Sequence, residues 1–532
     1  MPRMTTAECR GVSAAIGVCV LFMLMLAGCG TATETDRAAA VISRQRIRSE
    51  IDYIASDALK GRNTPSAGLD SAAEYIERAF FRAGLQPVQG SYIQHFKLNI
   101  VALGDSNSLI LTSSSGREAF ALKDDFVPFE ITANRGVDAE VVFAGYGISA
   151  PAFHYDDYAG IDVHGKIVFV LRHEPGEEDT ASVFDGKKAT EYSSVATKVR
   201  QAREHGAVGV LVATDPLNHT SLTPRGFPWP SLSKIIPMDA LPTTLSVEEG
   251  EKLPVVHVGE GVINRCFGSV DSLRALQESI DKSLRPRSFP FQGMRVHLQT
   301  STAIRELSTQ NVVAKVEGSD PGLRGEVVVV GAHYDHVGVK RNAPAGTDSI
   351  YNGADDNGSG TVALMEVGRA LGAMHTRPLR TILLIAFAGE EKGLFGSEYY
   401  ARKPLFPLDS TVAMLNMDMV GRNEEDSLQI IGSPEGSFLV NATRKANAGI
   451  GFALVNTALE SGGSDHESFQ KRNVPVLFYH SGLHPDYHQV GDEAQYISER
   501  KIARVSALVF RTAWQAANAL DPLIHTSSRG KK

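Results

Sequence analysis

From Asn311 onward the chain alternates short, almost wholly apolar runs with stretches of helical periodicity. The runs cover 311–316, 326–330, 381–387, 412–417 and 474–479, and helical patterns at 359–371 and 503–517 fall between or after them. A strand apolar on both faces must be covered on both. The pattern therefore predicts an α/β domain with a mostly parallel central sheet and helices on each side. Such sheets bind ligands in the crevice beyond the C-terminal ends of their strands. Residues that carry chemistry are expected just after each run.

They are there. Gly331-Ala332-His333-Tyr334-Asp335-His336 follows the second run, and Asn352-Gly353-Ala354-Asp355-Asp356-Asn357-Gly358-Ser359-Gly360 leads into the first helix. Gly389-Glu390-Glu391-Lys392-Gly393-Leu394 follows the third run, and Asp418-Met419 caps the fourth. The fifth leads to His484-Pro485-Asp486-Tyr487-His488. Taken singly, these residues have plainer readings. Asp355, Asp356 and Asn357 suit the cap of the helix that follows, Glu390-Glu391 suits a solvated pair, and His488 a surface histidine. Their joint arrival at successive strand ends points to metal. Adjacent acids beside a core strand repel unless a cation or proton compensates them. Two imidazoles with carboxylates suit Zn²⁺, and five ligands exceed what one tetrahedral ion with an open position needs. They fit two Zn²⁺ per chain sharing one carboxylate, with room for a bridging water.

These motifs resemble the di-zinc aminopeptidase family that includes aminopeptidase Y and glutamate carboxypeptidase II. The resemblance is close over 310–520 and loose over about 45–135, and it implies the zinc exopeptidase fold. Carried over motif by motif, it implies that His333 and Asp418 hold one zinc, and Glu391 and His488 the other. The bridging carboxylate precedes x-x-Ser-Gly in the family, which selects Asp356 rather than Asp355. Glu390 matches the catalytic base, and Asp335 the acid that orients the His333 imidazole. Tyr487 is expected either to donate to the developing oxyanion or to pack. His336, His466, His480 and His484 match no ligand and are read as pocket-lining or structural.

Family members often carry an inserted protease-associated domain. Here the texture changes near Ala139 to short β runs, with a buried strand at 165–171, a helical stretch at 194–205 and a second buried strand at 206–212. Together with Gly145-Tyr146-Gly147 and Tyr155-Asp156-Asp157-Tyr158, this resembles that domain, placed at 137–290. Gly-x-Gly here lacks the helix and third glycine of a dinucleotide fingerprint. Ahead of it, 45–136 forms the first part of the peptidase domain, with amphipathic helices at 47–58 and 69–83 and Gly84 where the second stops. Residues 300–522 form the rest, and 523–532 a flexible tail.

The first residues read as an export signal. Arg3 and Arg10 precede an apolar run from Val12 to Leu26, too short to span a bilayer comfortably. Leu26-Ala27-Gly28-Cys29 resembles the bacterial lipobox, so 1–28 is expected to be removed and Cys29 acylated; the alternative is a plain signal peptide. Residues 29–44 would be a tether from lipid to enzyme, and Gly30 favours outer-membrane sorting, facing the periplasm or exterior. Cys9 and Cys19 leave with the signal and Cys29 is lipidated, so Cys266 has no disulfide partner.

The net charge of −8, with no Lys/Arg-rich run, argues against nucleic acid as a partner. The expected substrates are peptides with a free N-terminus. Three rivals stay open: a single-zinc glutaminyl cyclase of the same fold, a carboxypeptidase (for which no cationic pocket is assignable), and a non-catalytic binding protein like the transferrin receptor.

Overall fold

In the computed structural model, residues 32–187, 189–224, 242–246, 251–340, 343–457 and 463–520 are described. Two large sheets organise them, one of eight strands and one of nine. Six strands matter below: β1 (Ile167–Leu171), β2 (Gly209–Ala213), β3 (Val327–His333), β4 (Thr381–Phe387), β5 (Thr411–Met417) and β6 (Val476–His480).

The eight-stranded sheet has a parallel centre, in which β1 and β2 lie between Arg135–Phe143 and Val255–Val258. The helices Glu260–Phe267 and Val270–Ser283 cover one face, and Val195–Glu204 covers the other. This sheet reaches past both ends of the expected 137–290. It draws Ser108–Ser113, Gly116–Phe120 and Phe126–Pro128 from before, and runs through Phe289–Thr300. Conversely, Thr243–Leu245, inside the insert by sequence, pairs with Ile93–Leu103 in the other sheet.

The nine-stranded sheet is mixed. Its centre, in the order β4-β3-β5-β6, is parallel, and its flanks are joined to it by antiparallel pairs. β3, β4 and β5 are buried at every position. Their side chains alternate between two cores, as the two-residue period requires. Val328, Val330 and Ala332 pack with the helices Arg44–Ile54, Ala67–Arg82, Gly360–Gly372 and Glu499–Ala517, whereas Val327 and Val329 pack with Tyr400 and Phe469 on the other face. Ile93–Leu103 pairs with Thr302–Val316 along its whole length, so the segments on either side of the insert close into one sheet.

The two N-terminal helices are capped by Ser43 and Ser66, whose hydroxyls accept from Arg46 N and Leu69 N. Gly84, at φ +75°, ends the second in the left-handed region where a Cβ is unfavourable. The expected tether at 29–44 is replaced, over its described part, by a docked helix at Glu34–Ala39. Thr33 and Asp36 close a capping box, Glu34 accepts from the backbone of His375 and Thr376, and Asp36 pairs with Arg511 at 2.9 Å. A small helix with one buried alanine resembles a polar linker in sequence; these long-range polar bonds fix it. The proposed signal, Cys29 and the 523–532 tail lie outside the described residues. No helix among those described is long and apolar enough to cross a membrane.

Candidate metal centre

The C-terminal ends of β3, β4, β5 and β6 converge. His333 is the last residue of β3, Asp418 directly follows β5, and Glu390-Glu391 sit in a single turn after β4. Asp356 lies in the turn Ala354–Ser359 ahead of the Gly360–Gly372 helix, and His488 in the loop after β6. Their ligand atoms form two adjoining groups: His333 with Glu390 and Asp418, and Asp356 with Glu391, His488 and His336.

Asp356 joins them. Its Oδ1 is 3.4 Å from His333 Nε2, and its Oδ2 is 2.9 Å from His488 Nε2. His333 Nε2 also lies 3.3 Å from Asp418 Oδ1, and His488 Nε2 lies 3.0 Å from Glu391 Oε2. Glu390 stands off at 4.0 Å from His333 Nε2 and keeps 14% of its side chain exposed, against 3% for Glu391. One acid of the pair thus faces the opening while the other is buried among possible ligands. Asp355 turns away, accepting from Gly421 N at 2.7 Å and lying 3.3 Å from His484.

The loops are locked by polar bonds to the backbone. Asp492 accepts from both Asp355 N and Asp356 N, Asn357 bridges Met417 O, Gly360 N and Met419 N, and the Thr361 hydroxyl donates to His333 O. Gly353 has φ +56°, and a Cβ there would lie 2.3 Å from Asp356 O and 2.5 Å from the His336 ring, so only glycine fits. Arg62 is wholly buried and donates to the carbonyls of Ile54, Tyr334, Asn352 and Gly353. Each buried acceptor left unpaired costs about 1–3 kcal/mol. Arg62→Ala is therefore expected to destabilise the fold by at least about 3 kcal/mol, read as a lower denaturation midpoint at unchanged m-value.

Asp335 does more than the motif implied. Its Oδ1 is 3.6 Å from His333 Nδ1, which is closer to the Asp335 carbonyl at 3.3 Å. The carboxylate also accepts from Glu390 N and the Thr64 hydroxyl, tying the end of β4 to that of β3. Tyr487 stacks on His488 at 3.8 Å between ring centroids, and burial with the nearby Asp356 and Glu391 charges pushes its hydroxyl pKa upward.

Without a cation the site is electrostatically stressed. Burial, reinforced by Glu391 and Asp418, pushes Glu390 well above the usual carboxylate range. For His488, burial opposes the charged form, but Asp356 and Glu391 outweigh it and hold the imidazole up to about 10. The buried atoms His333 Nε2, Asp356 Oδ2 and Asp418 Oδ1 have no hydrogen-bond partner among the described residues. Orphaned acceptors and imidazole nitrogens aimed at one another suit divalent zinc-class cations.

Three side chains that the motif reading left aside belong to the site. His336 Nδ1 lies 2.7 Å from Glu391 Oε1. Asp465 is fully buried close to His333, and burial lifts its carboxyl to about 7. In sequence it reads as a helix cap, yet it makes no cap bond; Ser464-Asp465-His466 beside an apolar strand was the only signal. Asp492 is buried beneath the Asp355-Asp356 backbone, and loop sequence alone offered nothing to find it. Of the other histidines, His466 and His484 are buried, and His480 Nδ1 lies 2.9 Å from Asp418 O.

A mixed sheet with a parallel centre, covered on both faces, thus carries a buried His-and-carboxylate cluster at the ends of its central strands. Residues 311–513 match Peptidase family M28 and residues 137–265 match the PA domain. It is 28% identical over 201 residues to aminopeptidase YwaD of Bacillus subtilis (strain 168), covering 36% of this chain and 41% of that protein. It is 33% identical over 192 residues to a probable zinc metalloprotease of Pyrenophora teres f. teres (strain 0-1), covering 34% and 38%. The chain thus spans about two fifths of the curated relatives it matches. The solved aminopeptidase from Aneurinibacillus sp. strain AM-1 aligns over 92% of this chain and 98% of its own, at 21% identity and a TM-score of 0.50, which establishes likeness of fold.

Proposed function

We propose that the protein is a zinc-dependent aminopeptidase that removes N-terminal residues from peptides. One observation carries the two-metal part of this reading: the Asp356 carboxylate is shared between the His333–Asp418 and Glu391–His488 groups, one oxygen towards each. The family and the aminopeptidase relatives support the reaction class. Two zinc ions held there would supply Lewis acidity to polarise the scissile carbonyl and make a water readily deprotonated.

The chain's own residues do the rest. His333, Asp418, Asp356, Glu391 and His488 would hold the ions, and His336 orients Glu391. Glu390, outside the ligand groups, takes the proton from the attacking water and returns it to the leaving amine. Asp335 positions Glu390 through its backbone N–H as well as steadying His333. The Tyr487 hydroxyl donates to the developing oxyanion, and its ring packs on His488. Carboxylates around the site recognise the substrate's α-amine.

Metal quantification together with a screen of aminoacyl-nitroanilides against N-blocked controls tests this. Two equivalents of active-site zinc and strict dependence on a free amine are expected. One equivalent with no gain on adding zinc would favour a glutaminyl cyclase, and cleavage of N-blocked peptides at their C-terminus would favour a carboxypeptidase.

We further propose that the protein is exported and lipid-anchored through Cys29, on the strength of Leu26-Ala27-Gly28-Cys29 after an apolar run, and sorted to the outer membrane, on the strength of Gly30 after the Cys. Cys29→Ser is expected to remove the protein from the fraction that needs detergent for release. Wild-type protein in the medium, beginning elsewhere than at position 29, would refute the anchor.

A further inference from the structure

A second group of metal-type side chains lies in the PA domain, apart from the site above. His173, Glu177, Asp215 and His219 each offer one ligand atom within 4.8 Å of all the others. Their meeting follows from the sheet. β1 and β2 are parallel neighbours with Leu171 opposite Ala213, so the chains leave the sheet side by side. His173 and Asp215 each stand two residues beyond those paired ends, and Glu177 and His219 each stand four further on. His-x-x-x-Glu on one loop therefore faces Asp-x-x-x-His on the other, in the same register.

The distances straddle those between the ligands of a coordination shell. His173 Nδ1 lies 2.5 Å from Asp215 Oδ1 and 3.8 Å from Glu177 Oε2. His219 Nε2 lies 3.0 Å from Glu177 Oε2 and 3.5 Å from Asp215 Oδ2. Four ligands held tetrahedrally at about 2.0–2.2 Å from zinc stand roughly 3.3–3.6 Å apart. Asp215 is wholly buried, and its Oδ2 has no hydrogen-bond partner among the described residues although it is aimed into the group. The buried Lys198 directs its ammonium to the carbonyls of Tyr146 and His173, at 2.6 Å each, and donates no described hydrogen bond to Asp215. Besides its histidines, Glu177 receives only Asn218 Nδ2, at 3.3 Å, among the bonds described. His173, Glu177 and His219 are partly exposed, which leaves an entry path.

We propose that these four residues form a structural site for a divalent zinc-class ion, fastening the loops after β1 and β2. Two imidazoles select a borderline transition metal over calcium or magnesium, which prefer all-oxygen shells. Two carboxylates balance the ion's charge, and four protein ligands fill a tetrahedron, leaving no open position for catalysis.

The test uses the full-length, untagged protein and measures bound metal after equilibration with Zn²⁺ and desalting. In a His333→Ala/Glu391→Ala background, which strips the active site, one equivalent is expected to remain, and adding His219→Ala should abolish it. In the otherwise wild-type protein, His219→Ala should lower the zinc content by one equivalent and reduce the gain in Tm on adding zinc. Co²⁺ in the stripped background should give the intense visible bands of a tetrahedral ion. His219 is partly exposed, so its replacement spares the buried Asp215 and the fold. The proposal is overturned if zinc content is insensitive to His219→Ala in both backgrounds, or if Ca²⁺ but not Zn²⁺ or Co²⁺ raises the Tm. Neither result bears on the aminopeptidase reading, which nitroanilide activity reports separately.

Discussion

Glu390→Gln is expected to lower kcat by about 10²–10⁴-fold, the range by which positioned general bases act, with little change in KM and with zinc content and fold intact. Glutamine keeps the shape and hydrogen bonding of the side chain but cannot take a proton from the attacking water. The geometry sets the contrast with its neighbour. Glu390 stands 4.0 Å from His333 Nε2 and is partly open, whereas Glu391 Oε2 lies 3.0 Å from His488 Nε2 in a buried group. Glu391→Gln turns an anion among the ligands into a neutral amide, so it should weaken metal binding as well as activity. The assignment fails if Glu390→Gln stays within about tenfold of wild type, or if it loses metal while Glu391→Gln does not.

Asp356→Ala should be as damaging by a different route. Its two oxygens face the two groups, so truncation removes a ligand from both and leaves His333 and His488 without their shared carboxylate. Activity should fall by at least about 10²-fold, as for loss of a group that acts within a unit, together with the zinc content measured on the same samples. Asp355→Ala is the control. Its carboxylate serves Gly421 N and His484, so its cost should appear mainly in stability, with smaller loss of activity. The reverse ranking of the two variants would show that the other aspartate bridges.

The sequence foretold the centre of the peptidase sheet because β3, β4 and β5 are buried on both faces, and unbroken apolar runs have few other uses. The flanking strand Ile93–Leu103 was harder, since it alternates buried with exposed residues and carries lysine and glutamine among them. His333, Asp356, Glu390, Glu391, Asp418 and His488 were found through their order after successive strands, and the structure gathers those side chains. Asp465, Asp492 and Arg62 were not, because each takes its meaning from partners far along the chain. Arg62 reaches Tyr334 and Gly353, 272 and 291 positions away. The helix at Glu34–Ala39 escaped for the same reason, resting on His375, Thr376 and Arg511.

Arg62 also sets a timetable for synthesis. The carbonyls it grips at Tyr334, Asn352 and Gly353 emerge after the whole PA insert, as does Thr302–Val316, the partner strand of Ile93–Leu103. During translation the N-terminal segment must wait, its apolar face unpaired, while every strand of the eight-stranded sheet appears by residue 300. Contacts of such long sequence separation form late, and an exposed apolar helix face in the interval invites aggregation. The insert divides the nine-stranded sheet in time as well as in sequence. Slowing translation before residue 300 should lengthen exposure of the 44–82 helices, and slowing it between Gly360 and Glu499 should do so too, because the helices Gly360–Gly372 and Glu499–Ala517 share their core.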